Sequence, residues 1–593
     1  MSKEMKGRCA VVFFLLAGCV SIYGQQLSEA ESLMKFMGSD DPEEIDAGEA
    51  ERLADYMEHP LKINVTSLSA LKSSGLMSHY QAASLYDYRC RHGDVLSLAE
   101  LAAVDGFGEH YVSLLAPFIS LASQRTPGSG AYDAMKAAHD VAAKGGLKLS
   151  GSEKDPPASW NYGGKYRLSL GERLRIAAGF NGDVFSGYVS YRSRRVPLKV
   201  IAGDFNARFG QGLALWNGMT MSGLSVPDSY LKRTSYISES WSYSGTSALT
   251  GLAMEYSAGS FNISMLAALP GIRNLHGGLD EVSVLPGVNL SWDAGSMHVG
   301  FTHYAMFSGA LSKSQTYIPD MKTALDMSAC LMGTDVFAEA AYDWLNVKAA
   351  FLAGCVFPAG DDLKMAAMLR FYPHGYSSSM SGAARSSTKC TNEYSASFSG
   401  RFTLGRRNGG NFSADAAYFP DPKDDSGRKS LQFKAALSWE WKPVEELMLT
   451  FRLSERIRTW DVVSKTAVRA EMLWNPSPFC LRMRMEYLHH SGDGILGYIE
   501  GGYVRQRFSA YARQGVFFID EWDDRIYAYE RDAPGSFNVP AFYGRGVWSS
   551  LTGMWRYARW GRLYFRFSIT SYPFMQEKKP GKAELKLQTV FSF

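Results

Sequence analysis

At 593 residues, with 62 Lys plus Arg against 59 Asp plus Glu, the chain is too long for one ordinary soluble domain and has no global field that selects nucleic acid or an acidic partner. Its 57 Gly, 32 Tyr, 33 Phe and 13 Trp, with a mean hydropathy of −0.17, suit many strands joined by tight turns and edged by aromatics. They argue against a bundle of membrane helices.

The N-terminus carries Lys3, Lys6 and Arg8, then the apolar run CAVVFFLLAGCV, then small residues at Ser21 and Gly24. This is the pattern of a secretory signal peptide over residues 1–24. Leu16-Ala17-Gly18-Cys19 offers a competing site at which Cys19 would be lipidated. The five later cysteines, Cys90, Cys330, Cys355, Cys390 and Cys480, show no CxxC or metal spacing, so neither a disulfide framework nor a zinc site is expected. No later run reaches the roughly 18 apolar residues of a membrane helix, so any crossing falls to strands.

Residues 25–60 form an acidic helical arm: between 27 and 60 there are 11 carboxylates against Lys35 and Arg52, a net charge of −9. EAERLADYMEHP predicts a surface helix stopped by Pro60, with a solvated acidic face. Over 61–124 the period is helical. Leu68 and Leu71 precede a turn at Gly75-Leu76-Met77-Ser78; a helix through Tyr80, Ala83, Tyr86 and Arg89 ends at Gly93; Ser97 caps a helix with Glu100; and Gly106-Phe107-Gly108 turns the chain into a last helix with Val112, Leu115 and Phe118 inward.

With Ile63-Asn64, Asp87-Tyr88-Arg89, His92-Gly93 and Leu98-Ala99-Glu100-Leu101, this stretch resembles the tandem helix-hairpin-helix domain of ComEA-like DNA-binding proteins. The resemblance implies that the amides of Gly106, Phe107 and Gly108 could grip a phosphate. The first hairpin, Gly75 to Ser78, departs from the family's Gly-x-Gly pattern. Asp105 and Glu109 flank the second where a DNA binder would favour lysine.

After a linker over 125–138, residues 139–593 alternate with period two. In LQFKAALSWEW, Leu431, Phe433, Leu437, Trp439 and Trp441 oppose Gln432, Lys434, Ser438 and Glu440. In LRMRMEY, Leu481, Met483, Met485 and Tyr487 oppose Arg482, Arg484 and Glu486. The repeats are as long as a tilted membrane strand, and the polar face is charged with both signs. The expected fold class is therefore α+β multidomain: a small all-α domain followed by a large antiparallel transmembrane β-barrel of about 20 strands, with about 16–24 allowed. WKPVEE, WNPSP and RYARWGR read as tight turns on one rim; 219–247, 308–326 and 374–392 read as long loops on the other. The closing AELKLQTVFSF, ending at Phe593, resembles the terminal strand by which outer-membrane proteins are recognised for assembly, which implies the barrel-assembly machinery and outer-membrane lipid as partners.

With HPLKIN, VIAGDFNARFGQGLALWNG and RIYAYERDAPGSFNVPAFYGRG, the whole chain resembles Gram-negative outer-membrane barrel proteins that carry a periplasmic helix-hairpin-helix module. The resemblance implies an outer-membrane location with the module in the periplasm. The functional expectation is transport, channel or envelope scaffolding, with the module docking to a periplasmic protein or partly plugging the barrel. DNA uptake through the hairpins is the alternative.

Asp204 and Arg208 share a strand face, and Glu530 and Arg545 lie in a charged stretch; the four are candidates for a lumenal polar network. No GxSxG, HExxH, P-loop or dinucleotide-binding motif occurs, so no catalytic residue, metal or cofactor is nominated and a barrel hydrolase is the least favoured reading. His298 and His303, five apart on a strand, fall on opposite faces. Mixed lumenal charge predicts weak ion selectivity.

Overall fold

The computed structural model describes residues 29–38, 47–123 and 137–593, apart from 152–155, 172, 194, 219–223, 244–247, 271–280, 311–315, 378, 424–428, 462 and 576–578. The signal peptide, Cys19 and most of the 125–138 linker lie outside the described residues.

Period-two alternation becomes one closed antiparallel circuit of 24 strands, from Ala137–Ser150 to Lys582–Ser592. The first and last strands pair along their whole length, Asp140 opposite Ser592 and Ser150 opposite Lys582. Phe593 completes the seam by exchanging backbone hydrogen bonds with His139 and stacking on its ring at 5.2 Å. The tail is thus the closing strand, and Val590, its apolar exception, faces inward and is buried.

The count exceeds the expected 20 because several strands are short and rich in small residues. Leu174–Asn181, Val184–Arg192 and Phe261–Ala268 dilute the alternation with Gly, Ala and Ser. The expected 308–326 loop is also mostly strand, since Met297–Ala310 and Thr316–Leu331 flank only 311–315.

The wall inverts the polarity of a soluble protein. Leu437 and Trp439 are 48% and 47% exposed on the outside, whereas the charged Arg482 and Arg484 are each 5% exposed on the inside. A strand in lipid must pair every backbone group, and only closure does so without an edge. No helix among the described residues is long and apolar enough to cross a membrane.

Both ends of the circuit lie on the rim with short turns; the opposite rim carries the longer connections. Three of these fold into the lumen. Residues 224–243 and 374–392 pack with Phe209 and Leu213 to Leu215 into a buried cluster around Tyr230, Tyr236 and Tyr376. Residues 525–543 build a second around Ile526, Phe542 and Trp548.

Among the described residues the N-terminal module has six helices: α1 (Glu29–Met37), α2 (Ala47–Glu58), α3 (Leu68–Ser73), α4 (His79–His92), α5 (Leu98–Ala102) and α6 (Gly108–Leu115). Leu61-Lys62 pairs in parallel with Ile119-Ser120, tying its ends together. Leu33, Leu53, Ile63, Leu85, Leu115 and Phe118 make its core. Ser78 and Gln81 form a reciprocal capping box on α4. Ser97 caps α5, while Glu100 accepts from the Leu96 amide at 2.8 Å.

The inverted wall yields a direct check. Leu437→Arg places a charge against lipid and should destabilise the barrel by about 2–4 kcal/mol. Ser438→Asn, one residue along on the lumenal face, should shift it by less than about 0.5 kcal/mol in the same denaturant titration.

Candidate functional site

The site is the occupied lumen. The helical module does not stand outside the barrel as a separate periplasmic domain; it lies within the half of the lumen nearest the short-turn rim. Helix α2 shows why. Its acidic side chains are not solvated, as the arm's composition suggests, but meet basic residues that point inward from the wall.

Glu49 accepts from Arg208 at 2.6 Å and from Arg52 at 2.6 Å. Glu51 accepts from Lys165, from Ser242 at 2.5 Å and from the Tyr243 amide at 2.9 Å. Asp55 holds Arg167 through two bonds of 2.7 and 3.0 Å, and Arg167 also reaches Asp140 at 3.0 Å. Glu58 receives Arg562 at 3.1 Å. The other helices add Lys35 to Glu440 at 2.7 Å and Lys72 to Asp293. These wall partners lie on strands all around the barrel, so the module is gripped from several sides.

Burial alone would raise the Glu49 and Asp55 carboxyls. Arg208 and Arg52 for Glu49, and Arg167 and His59 for Asp55, outweigh it and hold both far below the usual carboxylate range. His59 lies 3.0 Å from Asp140 and 3.3 Å from Asp55. Burial would lower its pKa, but these two hydrogen-bonded carboxylates lift it to about 10.

A second contact joins α4 to the wall. His79 stacks on His298 with ring centres 4.3 Å apart and planes 14° from parallel. His298 is bracketed by Asp293 at 2.6 Å and Asp326 at 3.1 Å. Burial first, then the neighbouring His298, keep His79 well below the ordinary histidine pKa. His79, Asp293 and His298 bring three ligand atoms within 4.8 Å of one another. Parallel stacked imidazoles nevertheless cannot both aim an in-plane lone pair at one ion, and the Lys72 ammonium already engages Asp293. This group is an ionic seam. His303 faces outward to Thr323 at 2.9 Å, so the opposite-face expectation for the two histidines holds.

The sequence-nominated residues separate. Asp204 accepts from the Gly187 amide at 2.7 Å and Thr250 at 2.6 Å, while Arg208 turns to Glu49. Glu530 pairs with Arg566 at 2.5 Å, but Arg545 sits half-exposed on the rim with Asp520 at 2.9 Å. The four therefore form no single network, because chain irregularity at Gly203, φ 106°, and the in-folded loop direct them to different partners.

Gly210 and Gly212, both at positive φ, let the chain approach Glu339, whose carboxylate accepts from the amides of Gln211, Leu213 and Ala214 at 2.6, 3.1 and 3.3 Å. A Cβ on Gly210 would stand 2.9 Å from that carboxylate. The glycine-rich stretch thus anchors a lumenal loop.

The degenerate hairpin Gly75-Leu76-Met77-Ser78 is enclosed. Leu76 and Met77 are at most 1% exposed, and the Leu76 carbonyl accepts from Tyr111. Its Leu76 and Ser78 amides donate to the Ser74 hydroxyl at 3.1 Å and the Gln81 side-chain carbonyl at 2.9 Å. Gly106 and Gly108, φ 85° and 73°, flank the buried Phe107 in an exposed turn; the Gly106 carbonyl is held by Gln81 at 2.7 Å.

A cavity of about 280 Å³ remains between the first strand, the last two strands and the 532–536 loop, lined in part by Lys144, Asn161, Asp532, Arg566 and Lys586.

These features define a class: an outer-membrane-type transmembrane β-barrel whose lumen holds its own N-terminal helices. No protein-family model and no curated protein matches the chain. Among solved structures it is similar to the siderophore receptor PirA from Pseudomonas aeruginosa, at 8% identity over 77% of this chain and 81% of that one, with a TM-score of 0.41. It is also similar to the copper transporter OprC, at 9% identity over 77% and 81% with a TM-score of 0.40, and to the ferric citrate transporter FecA, at 10% identity over 77% and 78% with a TM-score of 0.32.

Two predictions test the seam. Arg208→Gln leaves Glu49 buried and short of a cation, and should cost about 3–5 kcal/mol of docking. Hydrogen exchange over 47–58 should accelerate while the wall strands stay protected. His59 gives the pH dependence. Because its docked pKa is raised, its contribution is whole below the free value of about 6.5 and is lost as pH rises through about 10. The same exchange should therefore quicken between those limits, and His59→Asn should remove that alkaline change. Glu49 and Asp55, depressed rather than raised, lose their contribution only on acidification through their docked values.

Proposed function

We propose that the protein is a gated conduit of the outer membrane, in which the N-terminal module is the plug and solute passes when the module shifts or leaves. The short-turn rim is assigned to the periplasm, as in other barrels of this architecture. The observation that carries this reading is the charged seam: among the described residues, seven ion pairs, His59–Asp140 included, join the module to wall residues on several strands.

Ion pairs suit a plug that has to be released. Each is strong only while desolvated, and wetting the interface weakens all of them together. A module needed only as a permanent scaffold would more simply be held by apolar packing. DNA capture through the exposed Gly106 to Gly108 turn stays the second reading, since Asp105 and Glu109 flank that turn where phosphate binding favours cations, and a non-enzymatic role is preferred.

Conductance tests the proposal. The full chain in a planar bilayer should be closed or nearly so, and a variant lacking residues 25–136 should show large steps. An intermediate opening frequency is expected for Arg167→Gln, which leaves His59 alone to bridge Asp55 and Asp140. A silent deletion variant that is correctly folded would mean that the in-folded loops fill the barrel unaided, and would replace the conduit with a scaffold.

A further inference from the structure

The lipid-facing wall is not uniformly bulky. Across the strands Phe479–His489, Asp493–Val504, Phe508–Ile519 and Gly544–Trp555, one outward rung runs Leu481, Gly501, Ala512, Leu551. Its two middle positions carry little or no side chain, so the rung sinks between its ends. The next outward rung toward the short-turn rim sets Phe479 and Tyr503 beside Ala510. Together they leave a groove of about 450 Å³ on the outer surface, floored by Gly501, Ala510 and Ala512 and walled by Phe479, Leu481, Tyr503 and Leu551. A Cβ on Gly501 would meet no atom within 4 Å, so the space above the floor is open. Phe479 and Tyr503 pack edge to face with ring centres 5.7 Å apart, which fixes one wall.

The rim end of the groove is basic. The turns that join these strands, 475–478, 505–507 and 556–560, contain Arg505, Arg507, Arg556 and Arg559 and no carboxylate. The Arg505 guanidinium reaches back to donate to the Tyr503 hydroxyl at 3.3 Å, which sets a cation at the mouth of the groove. The Arg556 amide donates to the Arg507 carbonyl at 2.8 Å, so those two turns lie side by side. Glu445 and Glu446, on the turn beyond 475–478, are four strand spacings from 505–507, about 19 Å. Glu471 and Glu500 face the lumen, the first against Arg469 and Arg484 and the second against Arg513 and Arg531.

We infer that the groove binds one anionic phospholipid of the leaflet at the short-turn rim: an acyl chain lies on Gly501, Ala510 and Ala512, and the phosphate meets Arg505, Arg507 and Arg556. The conduit reading supplies only the name of that leaflet, the periplasmic one. A chain of methylenes suits the floor, because the backbone there is already paired in the sheet and no floor side chain can hydrogen-bond. An extended protein segment would bring amides and carbonyls that nothing in the groove satisfies. A second copy of the chain, docked here about a two-fold axis, would set the three arginines against their own copies. A phosphate instead accepts charge-assisted hydrogen bonds from them, and Tyr503 stands at the rim, where aromatic rings meet headgroups. Beyond Ala512, Gln514 accepts from Ser549 at 2.6 Å, a polar pair outside the groove's lining.

The test is native mass spectrometry of the full chain in neutral detergent, titrated with phosphatidylglycerol or with phosphatidylcholine of the same acyl chains. One phosphatidylglycerol should be retained, at least about tenfold more tightly than phosphatidylcholine. The combined variant Arg505→Gln, Arg507→Gln, Arg556→Gln should lose that preference; if it does not fold, each single change should weaken retention by about threefold. Gly501→Leu fills the floor from a Cβ that meets no neighbour, and should weaken retention of both lipids. Arg406→Gln, on another turn of the same rim, should change neither. In thermal melts phosphatidylglycerol should raise the parent's midpoint and not the combined variant's. Equal retention of the two lipids by the parent, or retention unchanged in either folded groove variant, would overturn the inference. Full displacement of the lipid by glycerol phosphate at matched concentration would do so too, by reducing the site to one for free phosphate. Lipid retention is read apart from conductance, so a silent deletion variant removes the gate alone, and absent retention removes this site alone.

Discussion

Backbone hydrogen bonding in lipid is the constraint on which the rest depends. No water reaches the hydrocarbon region to satisfy a stray amide or carbonyl, so the sheet has to close on itself. Closure is completed at one place, where Ala137–Ser150 meets Lys582–Ser592, and the exchange between His139 and Phe593 extends it to the rim. Once closed, a circuit of 24 strands encloses a lumen too wide for wall side chains to fill. Everything placed inside, helices and loops alike, answers that surplus of space.

The helical part of the filling meets the wall through charged pairs. Lumen-facing positions can carry ionised groups because water is near, and groups opposite them can be chosen to match. Helix α2 uses both of its sides: Leu53 and Ala54 complete the module's own core, while Glu49, Glu51, Asp55 and Glu58 meet Arg208, Lys165, Arg167 and Arg562. Such pairs give up hydration on docking and regain it on release. The interface is therefore specific in register, as the proposed plug role requires.

The loops use a different device. Glu339 collects the amides of Gln211, Leu213 and Ala214; Asp524 collects those of Ser491 and Gly492; Glu393 accepts from Ser386. Each carboxylate satisfies backbone groups that an irregular buried loop would otherwise strand.

By itself the sequence determined the elements governed by local periodicity. Alternation in LQFKAALSWEW and LRMRMEY identifies lipid-facing and lumen-facing residues, the closing strand is readable to its last residue, and Pro60, Ser78, Gly93 and Ser97 mark helix ends where the structure has them, because caps and pleats act over a few residues. Strand number was less legible, since strands rich in glycine and alanine carry little alternation. Only the tertiary structure decided that the acidic arm is half of an interface, that the first hairpin is buried, and that Asp204, Arg208, Glu530 and Arg545 go to different partners. Those outcomes depend on which residues closure brings together across more than a hundred positions, as with Glu49 and Arg208 or Lys35 and Glu440, and no local pattern encodes a neighbour supplied by the far side of a barrel.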